Sequence, residues 1–187
     1  MTISPGQAAA ALQEVERTER RTRLSGGYAA ASPHLILWGI VWAIGYGACA
    51  VVPPQDWGLV WLPLVAIGAI GSGWLGSRAK AAHGAGSGGV TQSLMMALVV
   101  FVFFIAADIL FRPRDPLVFL VFPSLVTGLV YALIGLVARL PRFAWIGAGI
   151  LVLPMAGYLA TPAWTALWIA LAGGGGLILG GLWLKKV

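Results

Sequence analysis

Few residues of this chain could carry chemistry, and they lie far apart. Asp108 is the one acidic residue placed inside a long apolar run. An ionisable group at membrane depth is costly enough to be a functional candidate by default. Arg112 follows it by four positions, on the same face of a helix. Two readings stay open: a proton or cation site at Asp108, or an interfacial Asp108–Arg112 ion pair near the end of the helix. Ser124, Thr127 and Tyr131 recur at helical spacing. They either line a polar track or bond back to the preceding turn of their own helix. Tyr46 and Tyr158 each follow a glycine in the outer half of an apolar run, as cavity-lining or interfacial residues.

No other grouping reaches a reaction. His34 stands at the start of an apolar run and His83 in a loop, neither with a Cys, Asp or Glu at ligand spacing, so neither a metal nor a cofactor is expected. Met95 and Met96 are adjacent and point to different faces, unlike a thioether ladder. Cys49 is the single cysteine and offers no disulfide framework. Gly84 to Gly89 match a dinucleotide fingerprint as a string, but the fingerprint has meaning only between a strand and a helix; here it is a linker. An intramembrane enzyme would need paired carboxylates, a metal cluster or a nucleophile with its base, so no enzymatic activity is expected.

The elements around these residues are membrane helices. Of 187 residues, 59% are hydrophobic and 10% charged, with a mean hydropathy of +0.90. A soluble domain carries about 25% charged residues, so the bilayer must be the solvent. A bilayer core about 30 Å thick needs about 20 apolar helical residues. Six segments qualify: His34–Pro53, Trp57–Ser77, Ser93–Phe111, Leu117–Ala138, Phe143–Ala160 and Trp164–Leu184. Prolines separate several of them, because proline lacks the N–H donor and restricts the residue before it. Pro63, Pro123 and Pro154 fall within the runs and can kink them. The first run is not followed by a small-residue cleavage site, so a cleaved leader is not expected.

Lys and Arg set the orientation. Arg17, Arg20, Arg21, Arg23, Arg78, Lys80, Arg139, Arg142, Lys185 and Lys186 fall on one side of the six runs, and only Arg112 and Arg114 on the other. The positive-inside rule then puts both termini in the cytoplasm, and a bacterial inner membrane is the expected location. The net charge of +6 is accounted for by topology and anionic lipid rather than nucleic acid.

The expected fold is an all-α membrane protein: a six-helix transmembrane bundle (residues 33–187) of three tandem parallel-repeat hairpins, preceded by an N-terminal cytoplasmic amphipathic helix and hinge (residues 1–32). The repeat rests on Trp38, Trp57, Trp61 and Gly68, which recur with the same spacings as Trp145, Trp164, Trp168 and Gly175. The helix runs from Pro5 to Leu24, with supporting Glu16–Arg20 and Glu19–Arg23 pairs. The Ser25-Gly26-Gly27 stretch reads as its hinge. Arg17, Arg20, Arg21 and Arg23 face lipid headgroups or a cytoplasmic protein partner bound through residues 1–24. Gly68, Ser72 and Gly76 on the second run, and Gly173, Gly176 and Gly180 on the sixth, are expected on helix-packing faces, within the monomer or in a homo-oligomer. The function these features favour is an accessory, scaffold or regulatory membrane subunit. The alternative is a small transporter or channel for a neutral or apolar solute, proton-linked through Asp108.

Overall fold

In hydrocarbon every backbone N–H and C=O must be satisfied within the protein, which for an unclosed chain means helix. The structure, a computed structural model, describes residues 5–83, 89–111 and 115–186. Among the described residues there is no strand. The helices are α1 (Pro5–Cys49), α2 (Trp57–His83), α3 (Gly89–Phe111), α4 (Pro116–Val137) and α5 (Pro141–Ala160), followed by α6 (Pro162–Leu184).

Five segments are long and apolar enough to cross a membrane: Ser25–Cys49, Pro54–Arg78, Pro116–Val137, Pro141–Ala160 and Pro162–Leu184. This is a membrane-embedded helical bundle. Helix α3 is 23 residues long, and Leu98–Phe111 is its described apolar part. The chain stays helical through Pro63, Pro123 and Pro154.

The expected hinge is not there. Ser25, Gly26 and Gly27 are helical, and α1 is one helix of 45 residues that continues through Pro33. Two helical glycines cost about 1 kcal/mol each, and the packing just beyond them compensates. Tyr28 and Ser32 are buried, and the Gly27 backbone is open to the Leu140 side chain.

A seam at a period of 3.5 runs down α1: Tyr28, Ser32, Leu35, Gly39, Trp42, Tyr46 and Cys49 are all buried. That period keeps one stripe facing a neighbouring helix at a shallow crossing angle. The neighbour is α6, where Ile169, Leu177 and Leu184 are buried. Helices α4 and α5 form a second tight pair that closes on α6. Helix α2 packs on α1 and α3 and leaves Leu59, Leu62, Ile67 and Ile70 exposed, a face suited to lipid.

Two irregularities shape the bundle. At the end of α4, Leu140 N donates to Gly135 O at 2.8 Å and Arg139 N to Leu136 O at 3.3 Å, the paired bonds of a Schellman cap. The residue at its left-handed position is Arg139, with φ 55°, where glycine is usual. Pro141 then opens α5 at its first position, a favoured place for proline. In α6 the backbone changes pitch: Pro162–Trp164 is a 3-10 turn, Thr165–Trp168 is α, Ile169–Gly175 is π and Gly176–Leu184 is α again.

The first and last hairpins both enter their second helix through a 3-10 turn, Pro54–Asp56 and Pro162–Trp164. Their matched residues do not make matched contacts. Trp38 covers Gly68, whereas Gly175 faces open space and Trp145 is 72% exposed.

Candidate functional site

The residues singled out by type do not assemble into one site. Ser124 is fully buried and its Oγ donates to Val121 O at 2.7 Å, so this hydroxyl is spent inside its own helix. Thr127 is half-buried on the same helix. Tyr131 meets the Phe143 ring at 5.7 Å. Tyr46 is buried between Trp42 and Trp61, with ring centroids at 5.4 and 4.8 Å. Tyr158, near the end of α5, reaches the start of α4, where its Oη donates to Asp115 Oδ2 at 3.5 Å. Asp115 itself caps α4 by accepting from Leu117 N at 2.8 Å. Asp108 is helical, but its side chain, like Arg112, lies outside the described residues, as do the side chains of Arg20, Arg21 and Arg23; Arg17 is exposed.

The glycines divide into three kinds. Some admit another helix's backbone. A Cβ on Gly174 would stand 2.6 Å from Ala43 N and 2.9 Å from Gly39 O, and one on Gly128 would stand 2.7 Å from Leu151 N. Others make room for side chains: the Trp38 ring on Gly68, the Trp42 ring on Gly173, the Trp61 ring on Gly45 and the Ile146 side chain on Gly180. Ser72 belongs here too, its Oγ accepting from Trp38 Nε1 at 3.0 Å. A third group, which includes Gly76 and Gly176, meets nothing within 4 Å. Neither meets another described helix of this chain. Eight residues of α-helix rotate by about 80°, carrying Gly76 off the Gly68 face, and the π segment that ends at Gly175 turns Gly176 away from Gly173.

The side chains that do converge form an arginine–aromatic node at one end of the bundle. Arg142, at the start of α5, donates from Nη1 to Trp183 O. Its guanidinium lies 4.8 Å from the Trp183 ring centroid and 5.7 Å from that of Tyr28. Its backbone N–H donates to Tyr28 Oη at 3.4 Å. Tyr28 stacks on Phe143 at 6.2 Å, and Phe143 meets Tyr131. The node therefore joins α1, α4, α5 and α6. Each cation–π contact contributes about 0.5–2 kcal/mol. The guanidinium has five N–H donors in all, and Lys185 and Lys186 stand exposed two and three positions beyond Trp183. The node is positive and keeps donors available.

One turn deeper, buried Ser32 donates from Oγ to Gly181 O at 2.7 Å, pinning α1 to α6. On the other flank of α1, the His34 ring nitrogens lie 3.3 Å from Ala30 O and from Ser72 O, and whichever carries the proton donates. Ser32→Ala is expected to lower stability by about 0.6–1 kcal/mol, read as an earlier midpoint on denaturant titration in detergent.

In the sequence Arg142 reads only as an orientation signal, and Tyr28 and Ser32 belong to no motif. Tyr28, Ser32, Leu35, Gly39, Trp42, Tyr46 and Cys49 are spaced four, three, four, three, four and three apart, and that alternation was the available signal. Among the described residues no three His, Cys, Asp or Glu side chains gather as a metal site would require. No protein family, curated protein or solved structure matches the chain.

Proposed function

We propose that this chain is a non-enzymatic accessory or scaffold subunit of a bacterial inner membrane. In this reading it has six spans in three same-way hairpins, with both termini in the cytoplasm and a protein partner held by its N-terminal arm. The observation that carries the proposal is the length and continuity of α1. Its 45 residues extend about 67 Å, against the roughly 30 Å that the bilayer core requires. The excess is a helical arm on which Leu12 and Val15 are exposed, and the same helix forms the central seam with α6. A load on the arm would thus reach the core of the bundle with no hinge to absorb it.

The sixth span in this proposal is α3, whose 23 residues are long enough to cross. The orientation is supported by the grouping of Arg142, Lys185 and Lys186 about one end of the bundle. The accessory reading gains over the transport reading from the use of polar groups: Ser124 and Ser32 are committed to backbone carbonyls, and Trp38 to Ser72.

Photo-crosslinking from position 12 or 15 of the full chain, in the native membrane, tests the proposal. A discrete protein adduct is expected, with the same protein lost from co-purification when residues 1–24 are deleted. Absence of any adduct would count against the arm as a docking element. Solute uptake by proteoliposomes that disappears with Asp108→Asn would replace the accessory reading with the transport one.

A further inference from the structure

The node sits at the mouth of an apolar groove between α5 and α6. The groove has a volume of about 370 Å³ and is open to the surroundings. Its floor is set by Gly149 on α5 and Gly176 on α6, its far end by Leu153 and Ala172, and its rims by Trp145 and Trp183. Neither Gly149 nor Gly176 has a neighbouring atom within 4 Å of where a Cβ would stand. The space is therefore not filled by another described helix of this chain. Along α5, Trp145 to Leu153 spans about 12 Å, close to one leaflet of a core about 30 Å thick. The groove begins at the Trp183 rim, over which the Arg142 guanidinium lies, with Lys185 and Lys186 exposed at the same end of α6, and it ends near midspan.

We infer that this groove binds one anionic phospholipid, its acyl chain against Gly149 and Gly176 and its phosphate at Arg142, Lys185 and Lys186. Length and charge both select this occupant. A helix of a second copy would cross both leaflets, whereas the groove is confined to one. A zwitterionic lipid would fit the apolar part but leave the cationic mouth without a net counter-charge. Arg142 is already oriented by the Trp183 carbonyl and two ring faces, so its remaining donors are fixed before the phosphate arrives. A planar guanidinium suits bidentate phosphate contact, and a basic pocket between membrane helices on the cytoplasmic side is a recurrent lipid headgroup site. The inference needs the bundle to lie in a membrane and does not depend on the accessory role.

Purified full-length protein in detergent, titrated with phosphatidylglycerol or with phosphatidylcholine of identical chains, tests the assignment by native mass spectrometry. One retained phosphatidylglycerol per chain is expected, at least about fivefold above phosphatidylcholine. Lys185→Gln together with Lys186→Gln is expected to reduce that preference to what Arg142 alone supplies, each charge being worth about fivefold. Gly176→Leu, or Gly149→Leu if the first does not fold, should expel both lipids while leaving the unfolding midpoint unchanged. Equal retention of the two lipids by the unaltered chain would overturn the inference. So would undiminished phosphatidylglycerol on the groove-filled variants, or a dimer that Gly176→Leu converts to monomer, which would make the groove a protomer interface.

Discussion

Leucine at position 147 is expected to drive α4 and α5 apart and to cost about 3 kcal/mol or more, whereas leucine at position 149 should leave the fold intact. A Cβ at Gly147 would run into Ala132 N and Gly128 O, and the facing Gly135 is closed in the same way by Ala144 N. These are backbone atoms, which cannot move aside as the end of a side chain can. Relief therefore requires the two helix axes to separate along the length of their contact. In lipid that contact has no hydrophobic expulsion to restore it, because the tails are as apolar as the side chains. At Gly149 the same change projects into the open groove and replaces a helical glycine with a better helix former. Unfolding by graded SDS in mixed micelles measures both: the Gly147→Leu midpoint should fall steeply or the protein should fail to purify, and Gly149→Leu should track the parent. Equal midpoints for all three proteins would show that α4 and α5 do not meet at these glycines.

How much of this was visible beforehand depends on what hydropathy can report. It separates lipid from water well, so the apolar segments and the prolines that divide them were legible. It cannot say which face of a membrane helix meets protein, because every face of α4 or α6 is apolar. The seam on α1 is marked instead by residue size and hydrogen-bonding type, as Ser32 and Gly39 show. Small-residue spacing along α2 and α6 does not separate Gly173 and Gly180, which have neighbours, from Gly76 and Gly176, which do not. The missing hinge has a related cause. Ser-Gly-Gly is a local signal, and burial of Tyr28 and Ser32 a few residues later outweighs it. Arg142 was legible as a charge and illegible as a node, since its partners come from positions 28 and 183.

The second large effect is expected at Gly174, where the crossing of α6 over α1 is tightest. A Cβ there would lie 2.6 Å from Ala43 N, 2.8 Å from Ala43 Cα and 2.9 Å from Gly39 O. The reciprocal position is equally closed, for a Cβ on Gly39 would lie 2.8 Å from Gly174 O. Gly174 also falls inside the π segment Ile169–Gly175. An extra residue in a turn displaces the faces that follow it, and such segments are rare and costly enough to mark a functional or packing demand. Here the demand is that Gly173 receive the Trp42 ring while Gly174 receives the α1 backbone, with Gly175 and Gly176 left facing outward. Gly174→Leu is therefore expected to destabilise the bundle by about 3 kcal/mol or more and to expose the α1 seam. Gly175→Leu, one residue on, should be tolerated. Trypsin accessibility of the arm arginines reads the difference together with the unfolding midpoint: α1 freed from α6 should be cut faster at Arg17 and beyond. If leucine at 175 proves as damaging as leucine at 174, the open face of α6 at Gly175 is covered in the membrane by another protein chain.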